Sequence, residues 1–258
     1  MATNTALTET IEVNIENLII LTKLDDKIDR LTEGVAGRVE GDINAMPAAV
    51  FNQYKALVVS VFNAEKLKSI IRGIIFERYD AIKFNEIAGF LNSAQIKFMN
   101  QLEEDSKTPE AINQMQKFFD GLQSSPPTEE RKRLIEKIDS IKNFSSTVID
   151  TQIDFFKAIS WGMRGFRTDD QQVAEAALNQ NVLDMRKQMT PHIERQVWTG
   201  MLYAYKDLSY DDLDTYISLS ETAAGQLTTE FIQSVYQSMY KKVVDRLQSE
   251  LEAAFTNN

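Results

Sequence analysis

Apolar residues recur at steps of three, four and seven along almost the whole chain, and no segment sustains the period-two alternation of a half-buried strand. The first stripe, Ile11, Ile15, Leu18, Leu21, Ile28 and Leu31, predicts one helix from about Thr8 to Val35, loosened at its far end by Gly34, Gly37 and Gly41. A second helix starts near Pro47 and carries Val50, Tyr54, Leu57 and Val61. Thr108-Pro109-Glu110 combines an N-cap, a proline at the first helical position and an acid at the positive helix end. It opens a short helix through Ile112, Met115, Phe118 and Phe119 that Gly121 ends.

Ser124-Ser125-Pro126-Pro127 is the strongest break, because a residue before proline avoids the helical region and each proline removes a donor. It sets the expected boundary between two halves, residues 1–123 and 128–258. Thr128 with Glu129 and Glu130 restarts a helix lined by Leu134, Ile138, Ile141, Val148, Phe155 and Ile159, with Trp161 to Gly165 as its end and Gly165 as a left-handed cap. From Asp170 a helix, a turn and a helix follow. There Thr190-Pro191 repeats the cap-plus-proline signal, and Ser209 with Asp212 has the spacing of a capping box. The last helix, about Ala223 to Phe255, carries Leu227, Phe231, Val235, Met239, Val243, Leu247 and Leu251 at steps of four. Each step overshoots the 3.6-residue turn by about 40°, so the stripe winds around the helix and needs neighbours on several sides. The fold class expected is all-α, a multi-helix bundle.

Residues 57–98 and 183–227 read as diverged copies of one helical unit. At an offset of 126, Leu57 meets Leu183, Leu67 meets Ile193, Ile75 meets Met201, Tyr79 meets Tyr205, Ile87 meets Leu213 and Phe90 meets Tyr216, while Glu86 meets Asp212. A three-residue insertion then places Ser93-Ala94 opposite Thr222-Ala223 and Phe98 opposite Leu227. Two copies that present the same buried face imply a bundle built from two related halves, the first degenerate. On this reading Tyr79 and Tyr205 occupy equivalent places between repeat helices.

Charge removes several functions. The 28 Lys and Arg against 38 Asp and Glu leave a formal charge of −10, and Glu129, Glu130 and Glu136 offset the one basic run, Arg131-Lys132-Arg133. A phosphate backbone needs concentrated positive charge, so no nucleic-acid partner is expected. With no cysteine in the chain, thiolate catalysis, disulfides and cysteine metal sites are excluded. No stretch approaches the roughly 20 apolar residues of a membrane span. Met1-Ala2-Thr3-Asn4-Thr5 has neither a basic nor an apolar signal region, so no signal peptide is expected.

The run Leu208-Ser209-Tyr210-Asp211-Asp212-Leu213-Asp214-Thr215-Tyr216-Ile217, followed by Thr222-Ala223-Ala224-Gly225-Gln226, resembles the conserved block of the bacterial domain of unknown function 2059. Arg131, Leu134, Ile135, Ile138 and Asp139, with Val148-Ile149-Asp150 and Gln152, resemble the helix preceding that block. The resemblance covers most of residues 128–258. It implies an all-helical, usually exported protein of the bacterial envelope with no assigned activity, hence a periplasmic location; without it the expectation is the cytoplasm.

His192 is the only histidine, so no histidine metal cluster or Ser-His-Asp triad can be assembled. At the second position of a helix opening on Thr190-Pro191 it should face water. Asp211, Asp212 and Asp214 lack the alternating ligands and central glycine of an EF-hand loop, and carboxylates are favoured at a helix start anyway. Glu86 and Asp212 are read as equivalent capping positions, and Glu103-Glu104-Asp105 as a solvated helix end. Trp161, Arg164 and Arg167, with Gly162, Gly165 and Phe166, form the one unusual cluster, an anion or partner site whose competing reading is a glycine cap with arginines against the negative helix end. Gly225 is read as structural, because Ala223-Ala224-Gly225 lets a helix or a chain reversal approach closely. No cofactor, metal or catalytic residue is expected, Asp150 and Asp154 being the carboxylates best placed to overturn that.

The expectation is a non-catalytic helical binding or interaction protein whose partner is a protein. The alternative is a carrier holding a lipid or other apolar ligand between the halves, where some of the 14 Phe, 9 Met and 8 Tyr would line the cavity.

Overall fold

The computed structural model describes residues 2–41, 47–163 and 175–255, and among them every regular element is an α-helix. In chain order these are α1 (Ala2–Thr22), α2 (Leu24–Gly41), α3 (Ala48–Val61), α4 (Ala64–Glu77), α5 (Ala81–Asn92) and α6 (Ala94–Asp105), then α7 (Pro109–Gly121), α8 (Glu129–Lys142), α9 (Phe144–Gly162), α10 (Glu175–Ala204), α11 (Tyr210–Ser220) and α12 (Ala223–Phe255). No described helix is long and apolar enough to cross a membrane.

The predicted starts of α7, α8 and α11 are made by the residues that signalled them. Thr108 accepts from the Ala111 amide and Thr128 from the Arg131 amide, each at 3.2 Å. Ser209 and Asp212 close a reciprocal box, with Ser209 Oγ accepting from the Asp212 amide at 3.1 Å and Asp212 Oδ2 from the Ser209 amide at 3.0 Å. The Ser209 hydroxyl, which donates to Asp212 Oδ2 at 2.6 Å, and then the Ser209 amide hold the Asp212 carboxyl below the usual carboxylate range.

Three boundaries differ from expectation. The helix predicted over Thr8 to Val35 is broken at Lys23, whose φ of 51° is left-handed, and the helix from Thr128 is broken at Asn143, with φ 53°. In both cases the apolar stripe resumes in register after a single reversed residue, so periodicity alone does not reveal the break. At the second break Asp139 accepts from the Ser145 amide at 2.9 Å and from its hydroxyl at 2.6 Å, supplying the partners that a new helix start lacks. Conversely, no helix begins at Thr190-Pro191: α10 runs through it, and Thr190 donates back to the Arg186 carbonyl at 2.8 Å.

The chain divides into two compact units, and the division does not follow the sequence halves: Pro126-Pro127 falls inside the second. The first unit comprises residues 1–84, 151–185 and 232–258. Its α1, α2, α3 and α4 bury Ile15, Leu18, Ile28, Tyr54, Val58, Leu67, Ile71 and Ile75. The Arg72 guanidinium joins Glu16 at 2.8 Å to Asp25 at 2.9 Å, and its hydrogen bond holds the Asp25 carboxyl low. The four-step stripe of α12 is buried at Val235, Met239, Val243, Leu247, Leu251 and Phe255. Phe62 meets Phe155 edge-on at 5.4 Å and Tyr240 at 6.2 Å.

Gly162 lies where α9 passes α12, and a β-carbon there would sit 2.5 Å from Leu251 Cβ and 3.2 Å from the Gln248 carbonyl oxygen. Neither atom can rotate away. Gly162→Ala should therefore lower stability by about 2 kcal/mol, in the range of overpacking changes. Chemical denaturation measures it; an unchanged midpoint would mean that the two helices separate at this crossing without cost. Trp161 is half-buried in the same turn. Arg164, Gly165, Phe166 and Arg167 lie outside the described residues.

The second unit comprises residues 85–150 and 186–231, with α11 packed on α8 and α6. Its core includes Ile96, Met99, Leu134, Ile138, Leu213, Tyr216 and Ile217. Arg131 of α8 donates to the carbonyls of Tyr205, at 3.0 Å, and Leu208, fixing the turn that enters α11.

From Ala64 and its counterpart Thr190 onward the two segments share the order helix, turn, helix, turn, helix, and Ala94 and Ala223 each open the last one, but residues 57–63 cross the break between α3 and α4 whereas residues 183–189 lie inside α10. Burial agrees at Leu67/Ile193, Ile75/Met201, Ile87/Leu213 and Phe90/Tyr216. It disagrees at Phe76/Leu202 and Ile82/Leu208, where the first copy's residue is exposed and the second's buried. Helix starts differ as well: Asp80, not Glu86, caps α5 by accepting from the amides of Ile82 and Lys83, so Glu86 and Asp212 are not equivalent caps.

Candidate functional site

The first turn of α7 is pinned by its Thr108 cap, and its far half by Phe118, which meets Tyr203 edge-on at 5.6 Å while the Tyr203 hydroxyl donates to Gln114 at 3.0 Å. Held this way, α7 leaves much of its apolar face uncovered: only Ala111 is fully buried, and Ile112 is 56% exposed. That face and α10 form a groove of about 530 Å³ whose exposed surface is mostly apolar. From α7 it is lined by Ile112, Met115, Gln116 and Phe119, and from α10 by His192, Arg195, Gln196 and Thr199. Both sets follow the spacing i, i+3, i+4, i+7, so each is one helical stripe, about 10 Å long at 1.5 Å per residue. One stripe comes from the half before Pro126-Pro127 and the other from the half after it.

Inside the groove the Arg195 guanidinium lies 5.0 Å from the centre of the Phe119 ring. Among the described residues it has no carboxylate partner. His192 is exposed, as expected, but it faces water within this groove and not at a helix start. Gln116 donates to Asp120 at 3.1 Å.

A second polar cluster is buried in the same unit. Glu103 of α6 accepts from the hydroxyls of Tyr205, at 2.7 Å, and Tyr216, at 3.0 Å, the two rings being 6.2 Å apart. Both tyrosines are almost completely buried, and burial, aided by the Glu103 charge, pushes both hydroxyls well above the usual tyrosine range. Lys142 lies 5.0 Å from the Tyr216 ring centre; burial pushes its ammonium below the usual lysine range, and Glu103 partly holds it up. Acid–base catalysis near neutrality needs groups brought toward pH 7, and the tyrosines are moved away from it. The two hydrogen bonds tie α6 to α11 and to the end of the helix before it, and Glu103 is not the solvated helix end expected.

Asp150 and Asp154 are half exposed and paired with Arg186 and Lys157. Among the described residues no three His, Asp or Glu side chains are grouped to hold a metal. Gly225 is buried at the start of α12 against the backbone end of α11, the chain reversal that the small residues suggested.

Sequence reasoning placed Ile112, Met115, Phe118 and Phe119 in one short capped helix and His192 facing water, and it missed Arg195, Gln196 and Thr199. The signal was present as a short amphipathic helix opened by the Thr108 cap. Comparison with family models, curated proteins and solved structures finds no match for this chain.

Proposed function

We propose that the chain is a non-catalytic binding protein that carries a small apolar ligand in the groove between α7 and α10. The observation that supports this is the groove: its volume of about 530 Å³ lies in the range of small-molecule sites, and its mainly apolar wall carries a few polar groups. A location in the bacterial envelope follows if the resemblance of residues 128–258 reflects descent. The second reading, a protein partner on the same face, is favoured by the exposure of Ile112 at the rim.

Nile red, a neutral apolar dye, should bind with a stoichiometry near one, and Met115→Glu, which places a charge on the apolar wall, should weaken it at least tenfold. Equal uptake by the variant would place the dye elsewhere and overturn the assignment. Native mass spectrometry separates the two readings: a monomer with a small adduct supports the carrier, and a dimer that excludes the dye supports the partner surface.

A further inference from the structure

The groove is uncharged on its α7 side and cationic on its α10 side, in a chain whose formal charge is −10. Of its lining residues Arg195 and His192 are basic and none is acidic. The acids nearest in sequence are not among them: Glu110 and Asp120 belong to α7 but do not line the groove, and Glu194 sits on another face of α10. A guanidinium stacked on an aromatic ring engages only its flat face, which leaves its in-plane N–H fork free to meet a carboxylate at two points. Arg195 lies over the Phe119 ring, 5.0 Å from its centre, and among the described residues no carboxylate holds it.

Resting on the carrier reading, we propose that the groove selects a medium-chain carboxylate, with its acyl chain along Ile112, Met115 and Phe119 and its head group on the Arg195 guanidinium. Three features support this occupant over a neutral one. The apolar stripe of about 10 Å matches an acyl chain of medium length. The cation stands at Phe119, the last residue of that stripe, so a chain lying along Ile112 and Met115 brings its head group to it. Arg195 is exposed and has no carboxylate partner among the described residues, so an anionic head joins it without displacing an existing ion pair, a gain that a neutral head cannot make.

Octanoate, octanol and octyltrimethylammonium share one chain and differ in head charge. Isothermal titration of the full chain with each should show octanoate binding one to one, at least tenfold tighter than octanol, and octyltrimethylammonium weakest. In Arg195→Gln the octanoate preference should vanish while octanol affinity stays; Arg195→Lys should restore part of it, because the charge returns without the planar fork. Octanol binding as tightly as octanoate, or a preference that survives in Arg195→Gln, would overturn the head-group assignment and leave the carrier reading intact. Failure of all three to bind would overturn both. The comparison in the unmodified protein decides whether charge is recognised, so the result does not depend on the variants folding.

Discussion

Replacing Glu103 with alanine should destabilise the protein by about 3 kcal/mol, because it orphans two hydroxyls at once. Tyr205 is 0% exposed and Tyr216 1%, so neither hydroxyl can turn to water when its acceptor is removed. A buried donor left without a partner costs about 1 to 3 kcal/mol, whereas removing a donor and leaving its acceptor near solvent costs less. Glu103 is only half-buried, so Tyr205→Phe or Tyr216→Phe should each cost about 1 kcal/mol, less than the acid's truncation. The same cluster sets an alkaline limit. Above about pH 10 the unfolded chain releases its tyrosine protons, while the folded chain retains those of Tyr205 and Tyr216, whose pKa values are raised. The unfolded state then binds fewer protons, and stability falls by about 1.4 kcal/mol per group for each further pH unit; below pH 10 the contribution is constant. Lys142 acts in the opposite sense, its lowered pKa adding stability as pH rises toward the usual lysine value. Denaturant midpoints at pH 9 to 11.5, with tyrosinate absorbance followed in parallel, measure the slope. A Tyr205→Phe/Tyr216→Phe variant that loses stability with pH as steeply as the parent would show that these residues do not set the limit.

This cluster marks where the sequence ceases to be informative. Helix content was legible because apolar periodicity is a property of each segment alone, and the caps at Thr108, Thr128 and Ser209 were legible because the group capped lies three residues away. Glu103 was not, since its two donors are more than a hundred residues distant and its local neighbours, Glu104 and Asp105, make it look like a solvated end. Lys23 and Asn143 were missed for another reason: a single left-handed residue interrupts the hydrogen bonds without disturbing the stripe on either side. Pro191 misled because a proline inside a helix resembles a proline that starts one, and only packing along α10 distinguishes them.

The groove was half legible. Ile112, Met115 and Phe119 were correctly seen as one face of a capped helix, but a face is assigned to core or to ligand only by what lies across from it. Across from it is the stripe His192, Arg195, Gln196 and Thr199, which hydrophobic periodicity does not register because it is polar. The repeat read from the sequence matches the helix order of α4–α6 to that of α10–α12, but the compact units divide residues 57–98 at 84 and 85 and keep residues 186–227 together, so equivalent packing of the two segments does not follow.

Gly225→Val should destabilise by about 3 kcal/mol and Gly225→Ala by about 2 kcal/mol, the high side of overpacking effects. The chain reverses between α11 and α12 within two residues, Glu221 and Thr222, and Thr222 caps α12 by accepting from the Gly225 amide at 3.2 Å. That bond draws Gly225 against the last turn of α11. A β-carbon there would lie 2.5 Å from the Ser220 carbonyl oxygen and 2.6 Å from that of Leu219. Because both are backbone atoms of a formed helix, no rotamer change relieves the contact; either the cap opens or α11 shifts from its seat on α8. The effect of position, as opposed to helix propensity, is isolated by Gly89 in α5, where a β-carbon meets nothing within 4 Å. There Gly89→Ala should be neutral or should stabilise by up to about 1 kcal/mol, the ordinary gain from replacing glycine within a helix. Opposite signs for the same substitution at the two glycines, read from denaturation midpoints, would establish the close approach of α11 and α12. A neutral or stabilising Gly225→Ala would show that this reversal has room for a side chain, and the small residues before Gln226 would then need a different explanation.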